Sequence, residues 1–549
     1  MKTEQYIALE KQYVAPNYNP LDVIIAEGEG AWVKDVEGKK YLDCLAAYSA
    51  LNQGYSHPKV LKAMVDQATK VAPTSRAFRN DKLPLLAEKL CTMLDYEMML
   101  PMNSGAEAVE TALKAARKWG YVKKGVPANK ARIICMENNF HGRTVTVVSF
   151  STEEDYKQGF GPFTPGFDIV PYGDIDALKA AITPDTVAVL TEPIQGESGI
   201  IFPPEGWLKQ VKETCEANNM LLIVDEIQSG LGRTGRLLAS SWEGVKPDMV
   251  CLGKALGAGF YPVSAVVSSR EVLTVFNPGE HGSTFGGNPL AAAVAMAALE
   301  VIEEEKLVER ARELGAFAME KLAVLKDHPL VHEVRGRGLW IGIELKPEAG
   351  GARKYCQELM ERGLLAKDTH HHTIRLAPPL IIDKKDLEWG LDQVIDVIAG
   401  YATANAAYGS GTWTNCTSAS CHDDGRNSGV TQAWNTTLNN CSECHATSPI
   451  TGGHDAHVGV SFGGSTIGCT DCHDAATNTT TETAPSANHR DGNVNAGSGY
   501  PVQAKGSTFV TCTNVSCHPT GQAADDFIET SAWDADDANC TQCHETSPT

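Results

Sequence analysis

Two short apolar runs, Leu221–Val224 and Met249–Leu252, constrain the first 400 residues more than any other feature. Each is a near-continuous aliphatic stretch, the pattern of a strand covered on both faces in a parallel sheet. The first run ends in Asp225 and the second leads into Gly253-Lys254. A carboxylate and a lysine therefore follow the carboxyl ends of two strands, where open α/β sheets bind ligands. The chemistry that needs this pair is that of pyridoxal phosphate (PLP). A lysine forms the Schiff base, and an acid keeps the pyridine nitrogen protonated.

The surrounding segments read the same way. Ile133–Met136 and Val187–Leu190 are strand-like, Gly206–Asn218 is helical, and the alternation predicts an α/β domain with a mainly parallel sheet. Polar candidates cluster after strand ends, at 138–143 and 191–197. Ser104 followed by Glu107 is a capping box opening an alanine-rich helix. Its first turn offers the amides of Gly105 and Ala106 and the Ser104 hydroxyl, a natural phosphate seat, although most capping boxes only start helices. Upstream, Ala31–Val36 and Lys40–Leu42 predict strands around a Glu37-Gly38 turn, and Asn17–Pro20 predicts a turn. Downstream, a Gly-Pro loop leads a helix through 283–300. Amphipathic helices at 302–328 and 385–400 then enclose strands at Arg335–Leu345 and Thr373–Leu376, predicting a smaller α+β domain.

Length and composition bound the rest. A chain of 549 residues is too long for one core. No run of 18 apolar residues exists, so no membrane span is expected. A net charge of −21 argues against nucleic acid as a partner. The opening residues lack an apolar core, so no signal peptide is expected and the chain is read as cytoplasmic. Residues 1–400 carry 44 Lys+Arg, 53 Asp+Glu and six scattered cysteines, Cys44, Cys91, Cys135, Cys215, Cys251 and Cys356, as reduced residues of a cytosolic enzyme would be. Residues 401–549 carry three basic residues, 15 acids and ten cysteines, with no methionine. So little apolar material cannot form a core unaided. The expected organisation is an N-terminal segment 1–45 joining the small domain, a large domain 46–295, a small domain 296–400, a linker 401–410 and a tail 411–549.

The first part resembles the class III, fold-type I PLP aminotransferases over about residues 10–400, and among them those that act on ornithine. The motifs that carry the resemblance are NYNP, AYSALNQG, MNSGAEAVETA, FHGRT, EPIQGE, VDEIQSGLGRTG, LGKALGAGFYP, STFGGNPLA and IRLAPPL. The resemblance implies that Lys254 is the Schiff-base lysine and proton shuttle, and that Asp225 pairs with the pyridinium nitrogen. It implies that Gln228 bonds the cofactor's phenolic oxygen, that Phe140 stacks on the ring, and that Ser104, Gly105 and Ala106 hold the phosphate. Ser283 and Thr284 would reach the phosphate from a neighbouring subunit, which implies a homodimer with shared sites. Tyr18, Tyr48 and Arg143 would place ornithine with its δ-amine towards the cofactor. Arg375 would bind 2-oxoglutarate, with Glu197 neutralising it while ornithine is bound. A related acetylornithine or other ω-amine donor stays open on the same residues. Glu192 is read as structural, His141 as packing, His370-His371-His372 as a surface loop, and Trp119 and Trp207 as core residues.

The tail repeats a different pattern. Cys416/Cys421, Cys441/Cys444, Cys469/Cys472, Cys512/Cys517 and Cys540/Cys543 are each followed at once by a histidine: His422, His445, His473, His518 and His544. Two thiols and an adjacent histidine are the attachment pattern of c-type haem. Zinc sites use paired cysteines but need no histidine after every pair. The alternating spacings resemble the CxxxxCH/CxxCH repeats of secreted multihaem cytochromes, here expected as a truncated copy. His454, His457 and His489 remain for distal ligation. Covalent haem attachment belongs outside the cytoplasm, in conflict with the first 400 residues. Three readings result: an active enzyme with a haem-free or fused tail, an extracytoplasmic redox protein with a silent aminotransferase domain, and a zinc module. A Soret band that survives acid-acetone extraction separates the second from the first, and stoichiometric zinc marks the third.

Overall fold

The computed structural model describes residues 1–410 and the strand pair Ser461–Phe462 and Ser465–Thr466. Residues 1–408 form one compact unit, and a second begins at Gly409. No helix among the described residues is long and apolar enough to cross a membrane.

Strands β1 (Ile25–Glu29), β2 (Trp32–Asp35) and β3 (Lys40–Asp43) form an antiparallel meander. The central sheet comes next, from β4 (Met98–Met102), β5 (Arg132–Met136), β6 (Phe167–Val170), β7 (Thr186–Thr191), β8 (Leu221–Asp225), β9 (Met249–Leu252) and β10 (Ser264–Ser268). Its order is β4-β10-β9-β8-β7-β5-β6, and only β10 runs against its neighbours. Every residue of β7 to β10 is buried, which is why these strands read as unbroken apolar runs. β8 and β9 pair in parallel with Asp225 opposite Cys251, so Asp225 and Lys254 leave the same sheet edge.

Helix α1 (Gly105–Trp119) starts on the reciprocal Ser104–Glu107 box and buries an alanine-rich face. Small side chains let it lie close to the sheet, and a Cβ on the following Gly120 would stand 2.2 Å from Val187. Further on, α2 (Pro289–Glu304) and α3 (Leu307–Lys321) precede a smaller sheet. That sheet holds β11 (Val331–Gly336) and β12 (Ile341–Leu345), then, after the two-residue β13 (Leu364–Leu365), β14 (Lys367–Thr369) and β15 (Thr373–Leu376). Its order is β11-β12-β15-β14, all antiparallel, while β13 pairs in parallel with β3. The N-terminal meander is thereby hydrogen-bonded to the C-terminal part.

Three expectations are corrected. The predicted strand Arg335–Leu345 is a hairpin, broken at Gly338, where a Cβ would stand 2.4 Å from the Thr234 backbone carbon. Residues 401–410, expected as a linker, are helical: they continue helix α4 (Lys384–Ser410), since the alanine-rich stretch after Gly400 has no breaker before Gly409. No hydrogen-bonded turn spans Asn17–Pro20. Pro20 has no N–H to close such a turn, and its carbonyl accepts from Arg353 Nη2 at 2.7 Å.

Just after β3 the backbone turns the wrong way. Ala46, Ala47, Tyr48 and Ser49 have φ of 48°, 46°, 59° and 73°, one turn of left-handed helix without a glycine. In L-residues this costs roughly 1–2 kcal/mol each. Asp43 anchors the turn. Its carboxylate accepts the Leu45 amide at 2.7 Å, the Ala46 amide at 3.1 Å and the Tyr55 hydroxyl at 2.9 Å. The Leu51 amide closes it onto the Ala46 carbonyl at 3.1 Å.

Candidate active site

The end of β8 places Asp225 in a buried pocket, where one carboxylate oxygen accepts from the Ile227 amide at 3.0 Å and the other bonds His141 Nδ1 at 2.7 Å. His141 is 3% exposed. Burial works against a charged imidazole here, but the bond to Asp225 and its charge prevail and raise the His141 pKa. His141 is therefore more than packing: it is a hydrogen-bond partner of Asp225. The signal was its place in FHGRT after β5, legible only once β5 and β8 are known to share a sheet. Glu192 accepts the amides of Phe140 at 3.0 Å and Gly196 at 3.3 Å, and burial pushes its pKa up to about 7. It fastens two loops.

Lys254 lies past β9 with φ of +41°, half-buried. Its Nζ stands 5.9 Å from the centre of the Tyr48 ring. Burial pulls its pKa down to about 8, opposed by Glu197 and assisted by Arg375. About a tenth of the amine is thus neutral at pH 7, the form a nucleophile requires.

Opposite it, Arg375 on β15 is completely buried. Its Nη1 donates to Glu197 Oε1 at 2.9 Å and its Nη2 to Gln228 Oε1 at 3.0 Å. Gln228 Nε2 donates to Glu197 Oε1 at 3.1 Å. The guanidinium also lies 5.3 Å from the Tyr48 ring centre, so the left-handed turn carries an aromatic face to both cations. Burial acts to raise the Glu197 pKa, but Arg375, Lys254 and the Gln228 amide together hold it below the usual carboxylate range.

The phosphate seat is partly engaged. The Ser104 hydroxyl donates to Glu107 at 3.1 Å, which leaves the Gly105 and Ala106 amides as the first-turn donors without helical partners. Gly105 and Gly253 face each other across Ile227. A Cβ on Gly253 would come within 3.6 Å of the Gly105 Cα, and one on Gly105 within 3.0 Å of Ile227. Two bare backbones, free amides, a buried acid bonded to His141 and a lysine of depressed pKa form a set that fits a phosphorylated pyridine aldehyde. Ser283 accepts from Asn103 at 2.7 Å beside this seat, and Thr284 is exposed.

The outer residues are looser. Phe140 meets Tyr156 edge-on at 6.1 Å. Arg143 is exposed, with its guanidinium 3.5 Å from the Tyr156 ring centre. Tyr18 is 79% exposed yet close enough to Tyr48 to raise the pKa of that phenol, which burial raises most. His370, His371 and His372 occupy the turn between β14 and β15. Trp119 and Trp207 are buried. Arg233, given no role from sequence, is wholly buried, and its guanidinium bonds the carbonyls of Leu339 at 2.9 Å and Pro378 at 2.6 Å and the Asn52 side chain at 2.6 Å.

The haem-attachment pattern of the tail falls outside the described residues. That holds for each of its cysteines, Cys416, Cys421, Cys441, Cys444, Cys469, Cys472, Cys512, Cys517, Cys540 and Cys543. It holds equally for the adjacent His422, His445, His473, His518 and His544, and for His454, His457 and His489.

Comparison with known proteins gives two family matches: aminotransferase class-III over residues 13–398 and the Geobacter CxxxxCH...CXXCH motif over residues 511–544. The chain is 59% identical over 397 residues to the ornithine aminotransferase of Brevibacillus brevis, covering 72% of this chain and 98% of the relative. A solved ornithine aminotransferase from Toxoplasma gondii, described with partial occupancy of PLP at its active site, aligns with a TM-score of 0.73 at 44% identity. That alignment covers 74% of this chain and 96% of that one. A solved acetylornithine aminotransferase from Elizabethkingia anophelis aligns with a TM-score of 0.67 at 47% identity, covering 73% and 100%.

Proposed function

The chain belongs to the class III aminotransferases, and from that membership we propose that it moves the δ-amino group of L-ornithine to 2-oxoglutarate. The products are glutamate and glutamate 5-semialdehyde, which closes to pyrroline-5-carboxylate. The observation that carries this reading is the buried Arg375 neutralised by Glu197 under Tyr48. One pocket must take the cationic amine end of one substrate and then a dicarboxylate. An ion pair with one fixed and one displaceable member meets both needs.

PLP, when bound, supplies a carbonyl that takes up the amine and a ring that withdraws electrons from the reacting carbon. Gly105 and Ala106, with Ser104 after it releases Glu107, would hold its phosphate. Asp225, held by the hydrogen bond to His141, would face the ring nitrogen, and Phe140 would cover the ring. Gln228 has a second amide hydrogen for the phenolic oxygen. Lys254, as a neutral amine, would bond the cofactor's carbonyl carbon at rest and, once displaced by the substrate amine, would carry the proton between the substrate carbon and that carbonyl carbon. Tyr18 and Arg143 would hold the α-amino and α-carboxylate ends of ornithine. Exposed Thr284 and Phe285, and a helix Thr3–Tyr13 that buries no residue, fit a second copy lending Ser283 and Thr284 to the phosphate. The homodimer with shared sites rests on this fit. The described cysteines are all free, which supports a reducing cytoplasm.

The depressed Lys254 gives a pH dependence. Loading of apoprotein with PLP requires the neutral amine. The loading rate, followed by the rise of the bound cofactor's visible absorption, should fall about tenfold per pH unit below about 8 and level off above it. A flat profile from pH 6 to 9 contradicts a lysine titrating there.

The substrate assignment is tested by incubating the full chain with 2-oxoglutarate and either ornithine or N-acetylornithine. Formation of pyrroline-5-carboxylate, with ornithine preferred by at least about tenfold in kcat/KM, is the expected result. The similarity to acetylornithine aminotransferase makes the reverse preference the second reading. The Brevibacillus relative is matched almost wholly within 397 residues, so amine transfer needs no tail. For the tail, the match over 511–544 supports the haem-attachment pattern at Cys512/Cys517 and Cys540/Cys543 with His518 and His544 as iron ligands, a pattern that a chain kept in a reducing cytoplasm would carry without covalent haem.

A further inference from the structure

Both ends of the Gln228 amide are engaged within the ion-pair pocket. Nε2 faces the Glu197 carboxylate and Oε1 faces the Arg375 guanidinium. The reverse orientation would set two acceptors and two donors against each other, so the charges fix the amide. With the 2.9 Å Arg375–Glu197 bond, the three side chains close a ring of three hydrogen bonds. Packing holds Gln228 independently. A Cβ on Gly196 would stand 2.8 Å from Gln228 Oε1 and 2.8 Å from the Trp340 ring, so the residue before Glu197 has no side chain where the carboxamide sits. Arg375 is fully buried and Gln228 is 6% exposed, whereas the Glu197 side chain is 22% exposed. The member free to leave is the carboxylate.

We propose that Gln228 is a positioning residue that sets the balance between the two substrates by latching Glu197 across Arg375. This rests on reading the pocket as one that takes a diamine and then a dicarboxylate. When a dicarboxylate enters, Glu197 must give up the Gln228 bond as well as the ion pair. The Gln228–Arg375 bond survives and keeps the guanidinium aimed at the newcomer. Gln228 therefore favours the closed, ornithine-accepting state and holds one Arg375 donor back from the newcomer.

Two variants pull in opposite directions. Gln228→Leu removes the latch and frees one Arg375 donor, so dicarboxylates should bind about tenfold more tightly, the weight of one hydrogen bond to a charged group. Gln228→Glu keeps the shape, repels Glu197 and sets a carboxylate against Arg375 on a chain that packing holds in place. Dicarboxylates should then bind at least about tenfold more weakly. The measurement is calorimetric titration of the PLP-loaded full chain with glutarate, which has two carboxylates and no reactive carbonyl, alongside KM for 2-oxoglutarate and for ornithine. Opposite shifts of the glutarate Kd in the two variants support the latch. A glutarate Kd within twofold of wild type in both, with cofactor absorption and melting temperature retained, overturns it. Failure of the wild-type chain itself to bind glutarate and turn over ornithine overturns the underlying functional reading instead.

Discussion

Lys254→Ala should abolish turnover of ornithine, lowering kcat by about three orders of magnitude or more, while the folded chain still takes up PLP weakly. The expectation follows from the position of Nζ. It is the one amine among the described residues brought to the β8–β9 edge beside Asp225, Glu197 and Arg375, each of which moves its pKa. The variant also removes the amine that would carry the proton between the substrate carbon and the cofactor's carbonyl carbon. Two readouts check it: single-turnover amine transfer, and the visible absorption of bound cofactor, which should shift to that of the free aldehyde. Retained turnover in the variant would remove Lys254 from the mechanism.

The second large effect concerns stability. Arg233→Met should destabilise the 1–408 unit by about 3–5 kcal/mol, measured as a lowered urea midpoint. The buried guanidinium serves Leu339 at the β11–β12 hairpin, Pro378 just past β15, and Asn52 just past the left-handed turn. Burial pulls its pKa down to about 9, so it pays for desolvation and is kept for what it joins. Without it, three acceptors are left buried without a donor, at about 1–3 kcal/mol each. Arg233→Lys should recover little, because one ammonium cannot span three acceptors that a planar fork reaches. The same three anchors hold the segments that carry Tyr48 and Arg375. The Met variant should therefore also raise the KM for 2-oxoglutarate, and an unchanged urea midpoint would show that the clamp carries no weight.

How much of this could be read from the chain depends on where each constraint is stored. Asp225 and Lys254 were legible because buried parallel strands announce themselves as aliphatic runs, and ligands gather at their carboxyl ends. The capping box of α1 was legible because both of its members lie within four residues. The Arg375–Glu197–Gln228 ring was implied only as a pair by resemblance. Its third member is settled by three segments meeting in space, which no local pattern encodes. Arg233 looked like an ordinary arginine in a glycine-rich loop, since nothing local shows that Leu339, Pro378 and Asn52 converge on it. The hairpin at Gly338 was hidden because its glycine answers to Thr234, a hundred residues away in the chain. The helix through Ser410 was missed because the polar, cysteine-rich composition of residues 411–549 masked the helical propensity just before it.

The turn at Ala46–Ser49 has a consequence for how this protein can change. Because its handedness is inverted, the ordinary ranking of residues is inverted with it: glycine would relax these positions, and β-branched residues would break them. Selection for heat resistance would therefore drift towards glycine at 46, 47 and 49. Each such step would soften the platform that presents Tyr48 to Arg375 and Lys254. Robustness and substrate discrimination are opposed at these four residues, and the strained, glycine-free turn marks the side on which this chain has settled.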